Sequence, residues 1–180
     1  MAAPGQADLF VVLGATGDLA QRMLFPSFYF LDCDGLLPPG LRILGCARAE
    51  MDRDGFIAEV RKHVADRARP APVDETVWSR LCERLEYCSA DAAKPDGATA
   101  LAQAMGQPQL PVFYLALSPS LFAPVCAALK AWATASLTWR ELSRSWPTGF
   151  SSTTRLLGVA APEAFSAAHT GANRLGERAR

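Results

Sequence analysis

A strand-like apolar run that leads through a glycine turn into a helix most restricts how this chain can fold. Residues 8–14 (DLFVVLG) are almost continuously apolar, as expected of a strand covered on both faces in a parallel sheet. Residues 14–17 (GATG) then form a tight turn, and residues 18–31 carry apolar side chains at helical spacing. Because Pro26 lies inside that helix, we expect a kink there or a division into two helical pieces.

The turn has residue types that suit a pyrophosphate group. Gly14 can adopt a positive φ, Gly17 lets a phosphate approach the backbone, and the small Ala20 lets the helix pack closely on the strand. The helix N-terminus attracts an anion, Thr16 adds a hydroxyl donor, and we expect Asp18 to cap the helix. The pattern predicts a dinucleotide site, although a purely structural glycine turn fits the same residues. A Walker A loop is excluded, since Gly-Lys-Ser/Thr is absent.

Strands and helices alternate along the rest of the first 130 residues. Further strands are predicted at 41–47, 85–89 and 111–117, and further helices at 53–67, 74–84, 96–105 and from 118 to about 130. Asp52 is the expected N-cap of the helix over 53–67. This alternation predicts an α/β fold with a Rossmann-like, doubly wound parallel sheet, whose strand ends share one ligand-binding edge.

A basic residue follows the second predicted strand. An NAD site usually places an acid there for the ribose 2′-hydroxyl, whereas a 2′-phosphate favours a base. Arg48 offers a planar guanidinium for a phosphate, which favours NADP. Glu50, two residues later, is the alternative partner for a hydroxyl, and an ordinary exposed loop arginine is the other interpretation of Arg48.

The overall composition excludes several classes of protein. With 18 basic and 18 acidic residues, the chain has no electrostatic footprint for nucleic acid or for a membrane surface. No apolar run approaches the ~20 residues of a membrane span, so we expect a cytoplasmic protein. The five cysteines form no C-x-x-C pair, and we expect them to be buried small side chains rather than metal ligands.

The composition changes near residue 130. Residues 1–130 contain 10 Val and Ile, whereas residues 131–180 contain one, Val159. Acidic residues exceed basic ones in the first part, and the reverse holds in the second. We therefore divide the chain into a domain at 1–130 and an irregular tail at 131–180, which we interpret as disordered or frameshifted. Translation of the encoding DNA in its other two frames tests the frameshift.

Three ordered blocks resemble glucose-6-phosphate dehydrogenases. Residues 14–20 (GATGDLA), followed by residues 24–26 (LFP), are similar to that family's G-A-[ST]-G-D-L-[AT] turn and its hydrophobic-aromatic-proline step. Residues 45–48 (GCAR) are similar to its second-strand G-x-A-R. Residues 112–119 (VFYLALSP) are similar to its fourth-strand F-Y-L-A-[LV]-[PS]-P. The resemblance covers about residues 8–130.

The resemblance implies an NADP-binding Rossmann domain with specific contacts. The 2′-phosphate would lie against Arg48, the nicotinamide half against Tyr114 and Ala116, and the adenosine side against Ala90 and Asp91. The pyrophosphate would lie against the turn and the start of the helix, namely Gly14, Ala15, Thr16, Gly17, Asp18, Leu19, Ala20 and Gln21. Gln21 stands where the family often has lysine, which removes one expected phosphate contact.

The chain also departs from the family. The family's Glu-Lys-Pro block and its Asp-His-Tyr-Leu-Gly-Lys substrate motif are absent, and of the two histidines His63 is expected on a solvated helix surface. We therefore assign no catalytic residue and expect no turnover by the 180 residues alone. Full-length members bind glucose 6-phosphate and form homo-oligomers. The alternative interpretation is a non-catalytic NADP-binding module or regulatory subunit. A short-chain reductase is disfavoured because Tyr-x-x-x-Lys is absent.

Overall fold

The computed structural model describes residues 6–136, which form a parallel sheet with helices on both faces. The strands are β1 (Leu9–Leu13), β2 (Arg42–Ala47), β3 (Leu85–Ser89) and β4 (Pro111–Leu115). All three pairings are parallel, and the order across the sheet is β3-β2-β1-β4. Each of the four predicted strands is confirmed.

The central strand β1 is buried from both sides. Its odd-numbered residues Leu9, Val11 and Leu13 pack in one apolar cluster, and the intervening Val12 packs in the cluster on the opposite face. A strand covered by helices on both faces has no polar alternation. The uninterrupted apolar run is therefore explained by the position of β1 at the centre of the sheet.

Five α-helices cover the sheet. They are α1 (Phe25–Cys33), α2 (Arg53–Ala68), α3 (Glu75–Arg84), α4 (Pro95–Met105) and α5 (Phe122–Ser136). Side chains of α1, α2 and α3 pack in the first cluster, and those of α4 and α5 pack in the second. The first two crossovers thus lie on one face of the sheet and the third, through α4, lies on the other, which makes the sheet doubly wound, as predicted.

Two aspartates start helices through side-chain caps. The Asp52 carboxylate accepts a hydrogen bond from the Gly55 N–H at 2.8 Å, and the Asp74 carboxylate accepts from Thr76 and Val77. The cap predicted at Asp52 is therefore confirmed. The cap predicted at Asp18 is wrong, as described with the turn below.

Pro26 divides the first helix, as predicted, and a π-helical segment precedes it. Residues 20–24 form this wider segment, and the Phe25 N–H donates to the Ala20 carbonyl five residues back. α1 then begins with Pro26 in its first turn, where the missing N–H costs nothing. The wider segment thus lets the chain enter α1 without a clash between the proline ring and the preceding turn.

A buried carboxylate ties α1 to α3. Asp32 is 2 % exposed, and its Oδ2 accepts a hydrogen bond from Arg80 Nε at 2.8 Å. Arg84 approaches the other carboxylate oxygen at 3.7 Å and donates to the Pro38 carbonyl. Because the arginines pair with it, the Asp32 carboxylate can be buried. The pairing also fixes how α1 packs against α3.

The last helix passes the domain boundary predicted at residue 130. α5 continues to Ser136, and Trp132 packs edge-on against Phe113 of β4 with ring centroids 5.9 Å apart. The prediction that this helix ends at about Lys130 is therefore six residues short. The irregular tail predicted for 131–180 lies outside the described residues from 137 onward.

Only some of the cysteines have the burial that the sequence predicted. Cys46 and Cys88 are buried, Cys82 and Cys126 are half-buried, and Cys33 is exposed, so burial is correct for only some of them. Between residues 6 and 136, no three His, Cys, Asp or Glu side chains come together in a group that could hold a metal ion. Within the same range, no helix combines the length and apolar character required to cross a bilayer.

Candidate functional site

The parallel register places the predicted binding residues along one edge of the sheet. β1 runs into the turn at 14–17, β2 into Arg48, β3 into Ala90, and β4 into Ala116. The strand order reverses between β1 and β4, because β2 and β3 lie on one side of β1 and β4 is added on the other. Ligands of doubly wound sheets bind in the crevice at such a reversal.

Gly14 turns the chain directly against the end of β4. Its φ is +85°, and a Cβ at this position would overlap the Ala116 carbonyl oxygen and approach Leu117 Cδ2 at 2.9 Å. The Ala116 N–H in turn donates to the Leu13 carbonyl at 2.8 Å. The positive φ predicted for Gly14 is confirmed, and the contact with β4 is a second reason for glycine.

Most backbone amides of the turn are used inside the protein. The Gly14 and Ala15 N–H groups both donate to the Cys46 carbonyl of β2, at 2.8 and 3.1 Å, and the Gly17 N–H donates to Gly14 at 2.9 Å. The Thr16 N–H has no acceptor among the described residues, and Thr16 is exposed. This amide is available to an anion, together with the amides of the first helical turn.

Small residues let the turn sit on β2. A Cβ at Gly45 would lie 3.0 Å from Ala15 Cβ and 2.7 Å from the Phe56 ring, so β2 has no room for a side chain there. Ala20 is fully buried in the same cluster, which agrees with its predicted role in close helix packing. The glycine of the GCAR block is thus explained by packing, whereas its arginine is not.

The remaining residues of the turn face different environments. Leu19 is 52 % exposed, and Gln21 is buried, with its Nε2 donating to the Ala15 carbonyl at 2.8 Å. The Asp18 carboxylate pairs with Arg22 Nε at 2.6 Å, both side chains being exposed, and it makes no capping bond. Because the arginine lies one turn further on, its charge offsets that of Asp18 near an incoming anion, weakly at this exposure.

Arg48 is an exposed cation on a constrained loop. Its guanidinium forms no ion pair with residues 6–136. The loop is held by the Tyr87 hydroxyl, which donates to the Ala49 carbonyl at 2.6 Å, and by the Ala90 N–H, which donates to Ala47 at 2.8 Å. Glu50, the alternative partner for a ribose hydroxyl, is also exposed.

The end of β3 completes this side of the edge. Ala90 and Asp91 are half-buried, and the Asp91 carboxylate accepts from the Ala93 N–H at 3.2 Å. Its backbone also lies against Gly97 of α4, where a Cβ would overlap the Asp91 carbonyl. Ala90 therefore lies beside the Arg48 loop, as the predicted adenosine side requires, while the Asp91 side chain is partly engaged by its own turn.

Tyr114 lies less directly on the edge than Ala116. Its ring stacks on Phe10 with centroids 6.4 Å apart, and Phe10 lies near the start of β1. Ala116 directly borders Gly14, as described above. The structure thus brings Ala116 to the turn and leaves Tyr114 two residues back along β4, half-buried on the same face.

The edge offers binding groups rather than a nucleophile or a general base. Burial is the largest cause that raises the pKa of the Cys46 thiol, to about 12, which keeps it neutral. His63 lies ten residues into α2, about 15 Å along the helix axis from its start, and is half-buried rather than fully solvated as expected. The chemistry supported by the described residues is therefore anion and nucleotide binding.

Two contributors to the site were not predicted. The Cys46 carbonyl receives two amides of the turn, and the Tyr87 hydroxyl fixes the Arg48 loop. A backbone carbonyl carries no sequence signal at all. Tyr87 occupies an alternating position in a short strand, a pattern that indicates a half-buried side chain without showing its partner.

Comparison with known proteins gives one consistent family. The family model described as "Glucose-6-phosphate dehydrogenase, NAD binding domain" matches residues 11–149. Glucose-6-phosphate 1-dehydrogenase of Mycolicibacterium smegmatis is 39 % identical over 128 residues, which are 68 % of this chain and 26 % of the relative. The Dickeya dadantii enzyme of the same name is 38 % identical over 125 residues, 69 % of this chain and 25 % of the relative.

Solved structures agree with the sequence relatives. Glucose-6-phosphate 1-dehydrogenase from Mycobacterium avium superposes with a TM-score of 0.62 at 31 % identity, over 70 % of this chain and 27 % of that one. A glucose-6-phosphate dehydrogenase in complex with glucose-6-phosphate gives 0.60 at 25 % identity, over 73 % and 28 %. The chain spans about a quarter of the length of the relatives it matches. By fold and by sequence, the chain belongs to the family of the glucose-6-phosphate dehydrogenase NAD binding domain.

Proposed function

We propose that this chain is the cofactor half of a glucose-6-phosphate dehydrogenase and that it binds NADP. The observation that carries the proposal lies at the strand-order reversal, where the Thr16 N–H has no acceptor within residues 6–136. In the same range the Arg48 guanidinium, which follows the neighbouring strand, forms no ion pair. An amide donor and a helix N-terminus suit a pyrophosphate, and a planar cation suits a 2′-phosphate. The residues present therefore fit this dinucleotide.

Different positions along the sheet edge would bind different parts of NADP. The turn at 14–17 and the first helical turn would hold the pyrophosphate, and Arg48 would hold the 2′-phosphate on a loop that Tyr87 already constrains. Ala90 and Asp91 would border the adenosine, and Ala116 with Tyr114 the nicotinamide half. A loop that is ordered before binding loses less conformational entropy, which favours affinity.

The complete reaction belongs to the longer proteins of this family. There, glucose 6-phosphate is oxidised to 6-phosphogluconolactone, and NADP supplies the hydride acceptor. The described residues of this chain bind and orient the cofactor, and we assign none of them to proton removal. We therefore expect no NADPH formation from glucose 6-phosphate by the pure 180-residue chain, a result read directly from the NADPH absorbance. Sustained NADPH formation would contradict the assignment of a cofactor half only.

The preference for NADP over NAD is tested by calorimetric titration of Arg48→Ala. We expect affinity for NADP to fall about 10- to 100-fold, because a hydrogen-bonded ion pair to phosphate is lost, with affinity for NAD almost unchanged. Arg67→Ala, at the end of α2, is the matched control and should alter neither affinity. Equal loss for both nucleotides would assign Arg48 another role. Failure of the wild-type chain to bind NADP would overturn the proposal itself.

We also propose a cytoplasmic location. All five cysteines are free thiols in the described structure, even though Cys46 and Cys88 are register partners on adjacent strands. Neighbouring cysteines that remain free thiols are typical of proteins kept in a reducing compartment.

A further inference from the structure

Gln21 combines burial with an incomplete set of hydrogen bonds. It is 4 % exposed and lies in the π-helical segment that follows the turn. Its Nε2 donates to the Ala15 carbonyl at 2.8 Å, while its Oε1 has no partner among the described residues. Exchanging the two amide atoms would set oxygen against oxygen, so chemistry fixes this orientation of the side chain.

The bond from Gln21 determines where the next backbone amide points. The Ala15–Thr16 peptide is trans, so its C=O and N–H groups point in opposite directions. With the carbonyl drawn toward the buried side chain, the Thr16 N–H must face outward. The neighbouring amides of Gly14, Ala15 and Gly17 are already used inside the protein. The glutamine therefore acts on the Thr16 amide, for which the described part of the chain provides no acceptor.

We propose that Gln21 is a positioning residue that fixes the Ala15–Thr16 peptide so that the Thr16 N–H meets the pyrophosphate of the bound dinucleotide. The inference rests on the proposed function and assigns this side chain a role that is not a direct contact with the ligand. A turn whose donor already points outward need not rearrange on binding, and such preorganisation raises affinity.

A merely structural role for Gln21 gives a different expectation. Its unpartnered Oε1 is unfavourable when buried, and an apolar side chain of similar length would avoid that cost. Gln21→Met removes that unpartnered oxygen but also leaves the Ala15 carbonyl without its donor, so we expect the variant to fold with a modest loss of thermal stability. If the glutamine only supported the helix, its replacement would affect all ligands of the edge alike.

The test uses the full chain and three probes in calorimetric titrations. NADP contains both phosphate groups of interest, inorganic pyrophosphate isolates the turn, and 2′-AMP isolates the Arg48 side because it has no pyrophosphate. For Gln21→Met we expect affinity for NADP and for pyrophosphate to fall about tenfold, with affinity for 2′-AMP unchanged within about twofold. Gln103→Met, at an exposed position on α4, is the matched control and should change none of them.

The other possible binding results overturn the positioning role of Gln21, the proposed function, or both. Unchanged binding of NADP by Gln21→Met, or an equal loss for 2′-AMP, overturns the positioning role. A wild-type chain that binds pyrophosphate but not NADP overturns the proposed function and supports the turn geometry, whereas binding of neither overturns both. If the variant does not fold, the wild-type hydrogen bond is measured directly as a through-bond NMR coupling between Gln21 Nε2 and the Ala15 carbonyl carbon. Its absence also overturns the inference.

Discussion

β1 and β4 are parallel neighbours in one sheet, yet they occupy opposite kinds of position. β1 pairs on both sides and is buried on both faces, whereas β4 pairs only with β1 among the described residues and is half-buried along most of its length. Their apolar runs were nevertheless the two strongest strand signals in the sequence. Composition thus shows that a strand is covered by helices, and it does not show whether a further strand lies beside it.

The largest expected effect compares register partners of the same residue type. Leu13 and Leu115 face each other across the β1–β4 pair, and Leu13 is 1 % exposed while Leu115 is half-buried. We expect Leu13→Ala to lower the free energy of unfolding by about 3–5 kcal/mol and Leu115→Ala by less than about half as much. Urea unfolding of both variants measures the difference. Equal losses would show that β4 is as well covered as β1.

The next effect concerns the contact between the turn and β4. Gly14→Ala should cost about 3 kcal/mol, because it adds the strain of a positive φ to an overlap with the Ala116 carbonyl. Gly40→Ala is the matched control, since Gly40 has φ +75° and open space around it, and should cost about 1 kcal/mol. The gap between the two unfolding free energies isolates the contact. Similar losses would mean that β4 yields to the added methyl group.

A pH-dependent effect belongs to the buried interior beside β1. Burial raises the pKa of Cys46 on β2 from 9.0 to about 12, so the fold favours the neutral thiol. That stabilisation is fully present below pH 9 and is lost as pH rises toward 12, at up to about 1.4 kcal/mol per pH unit. Cys46→Ala should therefore reduce the alkaline slope of stability by about one proton in pH-dependent urea titrations. Burial also raises the pKa of Tyr87 and Cys88, so a smaller slope remains; an unchanged slope would contradict this assignment.

The smallest effect on stability is expected on β4, whose outer side pairs with no other strand among residues 6–136. Val112 is 38 % exposed on β4, and an exposed apolar edge strand promotes association between chains. Val112→Lys should leave unfolding almost unchanged and reduce concentration-dependent self-association in sedimentation velocity. Leu36→Lys, at an exposed apolar residue beyond α1, is the control. If both variants reduce association equally, the general apolar surface is responsible rather than the edge.

The sequence predicted the elements better than the contacts between them. Four strands and the cap at Asp52 follow from local patterns, because apolar runs and helix starts depend on nearby residues. The cap at Asp74 was not predicted, although the helix over 74–84 was. The positive φ of Gly14 is local in the same sense. Asp32 could not be recognised as buried, since its partners Arg80 and Arg84 lie on another helix about 50 residues away.

In the candidate site, too, local features were predicted better than contacts with distant or unexpected neighbours. The exposed positions of Thr16 and Arg48 agree with the roles that the motif suggested. The family resemblance placed Gln21 beside the pyrophosphate, and the structure buries its side chain behind the turn, where it donates to the Ala15 carbonyl. Asp18 was expected to cap the helix, yet an arginine one turn later pairs with it instead. In both cases a specific neighbour decided the outcome, and residue type alone does not identify that neighbour.

The contact of Gly14 with Ala116 also has a consequence for the order of events during synthesis. The motif lies near the start of the chain, but β4 against which it rests is made about 100 residues later, as is Gln109, whose N–H binds the Asp8 carboxylate at 2.7 Å. Contacts of such long sequence separation form late in folding. The turn at 14–17, although translated first, is therefore expected to reach its final shape only after β4 has docked. If the turn binds the nucleotide as proposed, nucleotide affinity would report that docking.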